Sequence, residues 1–156
     1  MNNYTYGGFW RRSVAFMIDK CILFVISILL MASGSFITGA SIPLDPDEIA
    51  AAGPIFMAYY GTMIVLNIVY FTYFHGATGQ TPGKMALGLK VIQQTGAPMT
   101  FGVAFLRSIG YIISGLILDL GFAWIAFDGR KRGWHDMIAS TYVIRTTGEK
   151  EYFTEP

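Results

Sequence analysis

Charge is scarce in this chain, and so are the residue sets that usually build catalytic centres. Only 13% of its 156 residues are Asp, Glu, Lys or Arg, against 53% hydrophobic, and the formal net charge is +1. That balance lies outside the range of soluble domains and points to a membrane protein of one small domain. With no Lys/Arg run interleaved with aromatics, there is no surface for stacking bases, which argues against nucleic acid as a partner. The single cysteine, Cys21, excludes an internal disulfide and reads as a small hydrophobe within an apolar run. His75 and His135 lack further ligands at metal spacing, so no metal site is expected. No Ser/His/Asp or Cys/His set stands out, and an enzyme is not expected. The stretch "GATGQTPGKMALG" departs from a phosphate loop, with Thr78 where the pattern needs glycine and Met85 where it needs Ser or Thr. No nucleotide or other cofactor is expected; Pro82-Gly83 reads as a turn, with Lys84 and Lys90 facing lipid phosphates.

What the chain does have is long apolar runs. Ser13 to Ala32 and Ile55 to Phe74 are each about 20 residues, or roughly 30 Å as helices, matching the hydrocarbon thickness. They predict transmembrane helices over 11–33 and 54–75. The first is too long for a signal peptide, carries charges and is followed by no A-x-A site; Arg11-Arg12 reads as a positive-inside anchor. A third apolar region, 101–127, contains Arg107 and Asp119 and is loosened by Gly110, Ser114 and Gly115. One tilted crossing or a helical hairpin would both fit it.

Charge bias favours the hairpin. The first loop has three acids and no Lys or Arg, whereas the second carries Lys84 and Lys90 and the C-terminal segment carries Arg130, Lys131, Arg132, Arg145 and Lys150. If both termini and the second loop are cytoplasmic in an inner membrane, 101–127 must enter and leave on one side. Broken near Ser114-Gly115, each arm would be roughly 18–21 Å, too short to cross upright. Residues 84–100 include a short strand and a T-G turn, and "STYVIRTTG" is rich in β-branched and aromatic residues, so strands 89–93 and 141–145 are expected to pair on the cytoplasmic face. The expected fold is therefore an all-α integral membrane protein over 1–146, with two full spans, a short or re-entrant hairpin and a small cytoplasmic β element; three spans are the alternative. A basic interfacial segment fills 128–146, and 147–156 is a loose polar tail.

Asp19 and Lys20 interrupt the first span. Each opposes insertion by about 2.5–3.5 kcal/mol at a helix centre, so polar partners are expected inside the protein. Neighbours on a helix point about 100° apart and cannot pair well with each other. Arg12 shares the face of Asp19 but lies roughly 10 Å down the axis. A folded-back hairpin would bring Arg107 and Asp119 to similar depths, near Asp19 and Lys20. Such a cluster reads either as a register-fixing ion-pair network or as a proton- or cation-handling site. In "DGRKRGWHDMIAST", Asp128 and Asp136 flank an interfacial anchor. His135-Asp136 matches a proton acceptor with its orienting carboxylate, though adjacent residues rarely aim both groups at one point, which favours a turn or capping role for Asp136.

Arg12, "RRSVAFMID" with Asp19, "GQTPGKMALGLKVI", Arg107 and "RGWHDMIASTYVI" together resemble the RDD membrane-protein family, named for one arginine and two aspartates, over about residues 7–146. The resemblance makes Arg12 and Asp19 the R and first D, and Asp136 or Asp128 the second. Lys20 departs from the family pattern, and Ser140 stands where "AGT" has glycine. The resemblance implies transport of a ligand, read here as a membrane transport module exchanging cations and protons at Asp19 with help from Arg12 and Arg107; Lys20, Asp119, Asp128 and Asp136 are further candidate ion-binding residues. Monovalent cations and protons would be its cargo, and the lipid bilayer its surroundings. Two spans hardly enclose a path, so a homo-oligomer is expected. The competing expectation is a non-transporting scaffold or accessory subunit with structural charges.

Overall fold

The computed structural model describes residues 4–38, 45–116 and 120–146. Two long helices dominate it, α1 (Phe9–Thr38) and α2 (Pro46–Thr78). Asp45 caps α2 by accepting from the Glu48 N–H at 2.8 Å, with Pro46 pre-set for the first turn. Gly79 ends it with a left-handed φ of 72°. Within α1 and α2, residues Phe9–Phe36 and Ala52–Thr78 are long and apolar enough to cross a membrane. Their apolar side chains face outward: Phe24 is 64%, Leu29 63% and Met57 78% exposed. A soluble core helix would bury these groups, whereas a bilayer solvates them.

After α2 come a one-turn helix α3 (Pro82–Ala86) and a strand β1 (Leu89–Gln93), then α4 (Phe101–Leu116), α5 (Leu120–Phe127), a second short helix α6 (Trp134–Ile138) and β2 (Thr141–Arg145). β1 and β2 pair antiparallel, with Val91 opposite Val143. The sheet is flanked on both sides. Gly7 donates to Val143 O at 2.8 Å and Arg145 to Thr5 O at 2.9 Å, while Val91 donates to Gly79 O at 2.8 Å. These bonds fasten the segment before α1 and the end of α2 to one sheet and occupy part of each outer edge. A small core of Ala15, Leu89, Val91, Met99, Ala104 and Val143 sits beneath it.

The third apolar region folds back. Phe122 stacks on Tyr111 with ring centroids 5.7 Å apart, and Gly121 lies against Ser114. At about 24 Å and 12 Å, α4 and α5 are each shorter than a ~30 Å hydrocarbon core. Contrary to expectation, α4 continues through Ser114 and Gly115 to Leu116. Asp119 lies outside the described residues.

Two further expectations change. Lys84 does not face lipid phosphates: it is buried in α3, because Thr81 and Pro82 start a helix that docks on α1. And Ser140, where the family pattern has glycine, adopts a left-handed φ of 49°, so the tight turn between α6 and β2 is present despite the side chain.

Candidate functional site: a buried charge network and a membrane-level groove

The short helix α6 carries the centre of the network. Asp136, fully buried, accepts the Gly133 N–H at 2.8 Å and so caps its own helix. Its carboxylate also meets two guanidinium groups from different elements. Arg12 Nη2 donates to Oδ2 at 2.5 Å from the first turns of α1, and Arg107 Nη1 forms an ion pair with Oδ1 from α4. Burial alone would raise the carboxyl pKa, but Arg107 and then Arg12 overcome it and hold the group well below the usual carboxylate range.

Each arginine is further fixed. Arg12 Nη1 donates to Lys131 O at 2.6 Å, and Arg107 Nη1 to Thr141 Oγ1 at 2.6 Å. Lys131 is itself left-handed, with φ 54°. Gly110 gives α6 room against α4, since a Cβ there would lie 2.8 Å from His135 Cα. Three helices and the strand β2 thus converge on one carboxylate. Contrary to the sequence expectation, His135 and Asp136 do present both groups to one point. His135 Nε2 lies 3.0 Å from Arg12 Nη2 and can accept from it only as a neutral ring.

Burial lowers the His135 pKa well below its ordinary 6.5, against the opposing pull of Asp136. A depressed histidine takes up its proton in the unfolded chain first, so stability falls as pH drops below about 6.5. We expect thermal stability in detergent to decline between pH 7.5 and 5.5 by up to ~1.4 kcal/mol per unit per such group, and a His135→Gln variant to show a shallower slope.

Asp19 occupies a separate buried niche. Its Oδ1 accepts from Tyr70 Oη at 3.0 Å and from the Gly83 N–H at 2.8 Å, and its Oδ2 accepts from Thr81 Oγ at 2.5 Å. The carboxylate joins α1, α2 and the start of α3 through neutral donors. The expected cluster of Asp19, Lys20, Arg107 and Asp119 is therefore not what forms among the described residues: Arg107 sits with Arg12 and Asp136. Asp128 follows α5 and pairs with Arg132 at 3.1 Å, which lowers its pKa.

Sequence reading did not single out Tyr70, Thr81, Gly83 and Thr141 as partners of these charges. A signal for Thr81 was available, because Thr-Pro is the signature of a helix start. Nothing local marks Tyr70 or Thr141, which act across long sequence separations.

Lys20 takes another direction. Its ammonium donates to Asn67 Oδ1 at 2.7 Å and lies 5.1 Å and 5.9 Å from the ring centroids of Phe16 and Phe71. It stands in the wall of a groove of about 490 Å³ between α1, α2, α4 and α5, lined by apolar side chains with Asn67, Ser108 and Tyr111 among them. Tyr111 links groove and network, since Arg107 Nε donates to its hydroxyl at 3.3 Å and its ring lies 4.4 Å from that of His135.

The model of the RDD family matches residues 6–140. The chain belongs to the RDD family. It is 35% identical over 145 residues to the Bacillus subtilis (strain 168) protein YxaI, described as uncharacterized, covering 88% of this chain and 95% of that one. It is 30% identical over 144 residues to YteJ of the same strain, described as an uncharacterized membrane protein, covering 90% and 82%. A proline-rich antigen of Mycobacterium leprae (strain TN) is 32% identical over 75 residues, which is 47% of this chain and 30% of the antigen. No solved structure matches. With its two outward-apolar helices, this RDD chain is a membrane protein.

Proposed function

We propose that this RDD protein is a non-enzymatic transport module whose working site is the groove beside Lys20, with the buried charges as its frame. The observation that carries the reading is a cation at membrane depth in the wall of a largely apolar groove, beside Asn67. Ionisable groups within spans are costly, and by default they mark a ligand pathway. Among the described residues the lining sets Lys20 beside Asn67, Ser108 and Tyr111, a small group of polar side chains that can receive a solute. Asp19 and Asp136 are both enclosed and surrounded by fixed donors, an arrangement suited to holding geometry more than to loading and releasing protons or Na⁺. Two spans cannot enclose a continuous path, so the transporting unit is a homo-oligomer. The basic second loop and C-terminal segment support a cytoplasmic position for both termini.

Proteoliposomes test this. Charge movement is followed with a potential-sensitive dye as iodide or octanesulfonate is added, and internal pH is followed as Na⁺, K⁺ or Li⁺ is added. We expect movement of one of these ions that falls about tenfold in Lys20→Met and persists in Lys20→Arg. Cation-dependent proton movement that disappears in a well-folded Asp19→Asn protein would replace this reading with cation/proton exchange at Asp19. No movement of any of these ions by a well-folded wild type would favour a scaffold, which the enclosed ion pairs also suit.

A further inference from the structure

Two fully buried groups on the packed helices α2 and α4 end in atoms that nothing meets. His75 Nδ1 lies 2.8 Å from Phe71 O, and since a carbonyl only accepts, that nitrogen carries the proton and the neutral ring keeps a bare lone pair on Nε2. Arg107 commits Nη1 to Asp136 and Thr141 and Nε to the Tyr111 hydroxyl. Its Nη2 is left over. Among the described residues neither His75 Nε2 nor Arg107 Nη2 has a hydrogen-bond partner, and both side chains are enclosed. Both stand around one residue: the Tyr111 ring centroid is 6.2 Å from that of His75 and 5.6 Å from Arg107 Cζ.

Charge is out of balance in the same place. The buried ionised side chains among the described residues are Arg12, Lys84 and Arg107 against Asp19 and Asp136, three cations for two carboxylates. Asp136 is shared by the two arginines, and Asp19 is bound by Tyr70, Thr81 and the Gly83 N–H. Lys84 therefore forms no ion pair with either. Of the charges around the His75 ring, that of Lys84 acts most strongly and that of Arg107 next, so the unbalanced cation lies beside the two unmet atoms. A buried cation without a counter-charge is costly.

We propose that His75, Lys84 and Arg107 form a buried site for one small monovalent oxyanion that carries a hydroxyl, hydrogencarbonate being the simplest. Its charged oxygens accept from the Lys84 ammonium and from Arg107 Nη2, while its O–H donates to His75 Nε2. The alternatives each leave something unmet. A water molecule would satisfy the two free atoms and leave the positive charge uncompensated. A halide would compensate the charge and set it against the His75 lone pair. Only a hydroxylated monoanion matches donor, acceptor and charge together. Burial lowers the Lys84 pKa from its ordinary 10.5, and a bound anion opposes this by favouring the ammonium. The site joins α2, α3 and α4, and it stands whether or not the groove carries a solute.

The test uses the full chain in detergent at a fixed mildly alkaline pH and constant ionic strength. Potassium methanesulfonate is the background salt, replaced stepwise by potassium hydrogencarbonate or by chloride. Thermal midpoints report binding, because a ligand of the folded state raises them with its concentration. Infrared difference spectra with ¹³C- and ¹²C-hydrogencarbonate report the bound anion directly. We expect hydrogencarbonate to raise the midpoint of the wild type, chloride to do so at least about tenfold less effectively, and an isotope-shifted band to appear. Lys84→Met removes the excess charge. It is expected to lose both the response and the band while remaining as stable in methanesulfonate as the wild type, or more so. His75→Gln, which keeps an acceptor, is expected to retain the response. Equal stabilisation by chloride, an undiminished response in Lys84→Met, or a wild type with neither response nor band would overturn the proposal. The last result would leave water alone on the two free atoms.

Discussion

Asp136→Asn is expected to cost about 3–5 kcal/mol, enough to bring a small membrane domain near to unfolding. The wild-type carboxylate is shared by Arg12 and Arg107, both buried. Asparagine keeps the size of the side chain and an oxygen for the Gly133 N–H, yet leaves two guanidinium groups facing each other without a counter-charge. Removing one arginine is milder, because Arg12→Met leaves Asp136 paired with Arg107. The order of thermal midpoints in detergent, followed by loss of the monodisperse elution peak on heating, should therefore be wild type, then Arg12→Met, then Asp136→Asn. A second expectation separates electrostatics from simple loss of contacts. Adding Arg107→Met to Asp136→Asn removes one of the two stranded cations, so the double variant should be more stable than Asp136→Asn alone. If the two changes merely add, the network is not held by charge balance.

Different parts of this structure were legible in the sequence for different physical reasons. The spans could be read because a bilayer demands about 20 apolar residues in a row, a local property. The strands could be read from the β-branched character of "LKVIQ" and "TYVIR", and the hairpin from the bias of Lys and Arg between loops. Arg12, Asp19 and Arg107 stood out as candidates because charge is costly where they lie. Their partners did not. Asp19 reaches Thr81 and Gly83 across more than 60 positions, and Arg12 reaches Asp136 across more than 120. Pairings at that separation follow from the docking of α3 and α6, helices of five residues each, too short to leave a periodic pattern. Depth along a helix axis grouped Asp19 with Lys20 and Arg107. Azimuth then separated them, sending Asp19 towards α3 and Lys20 towards the groove.

Gly83→Ala is expected to be comparably damaging at the other end of the frame. α3 meets α1 backbone to backbone here: a Cβ on Gly83 would lie 2.1 Å from Ala15 O and 3.0 Å from Asp19 Cγ. Neither neighbour is the free end of a flexible side chain, so one element must move. Moving α3 away also lengthens the Gly83 N–H bond to Asp19, and Thr81 Oγ shares that carboxylate. We expect a loss of about 3 kcal/mol, combining overpacking with weakened bonds to a buried carboxylate. Gly102→Ala is the control, since nothing lies within 4 Å of a Cβ there, and in α4 the change should be neutral or stabilising by under ~1 kcal/mol. Asp19 can be interrogated in the same series. Asp19→Asn retains an acceptor for Tyr70 and Gly83 and should fall between wild type and Gly83→Ala, whereas Asp19→Leu strands all three donors and should be the least stable. If Asp19→Leu proved as stable as Asp19→Asn, the carboxylate would not be what joins α1 to α3. The close approach at Gly83 would then have to hold that junction by packing alone.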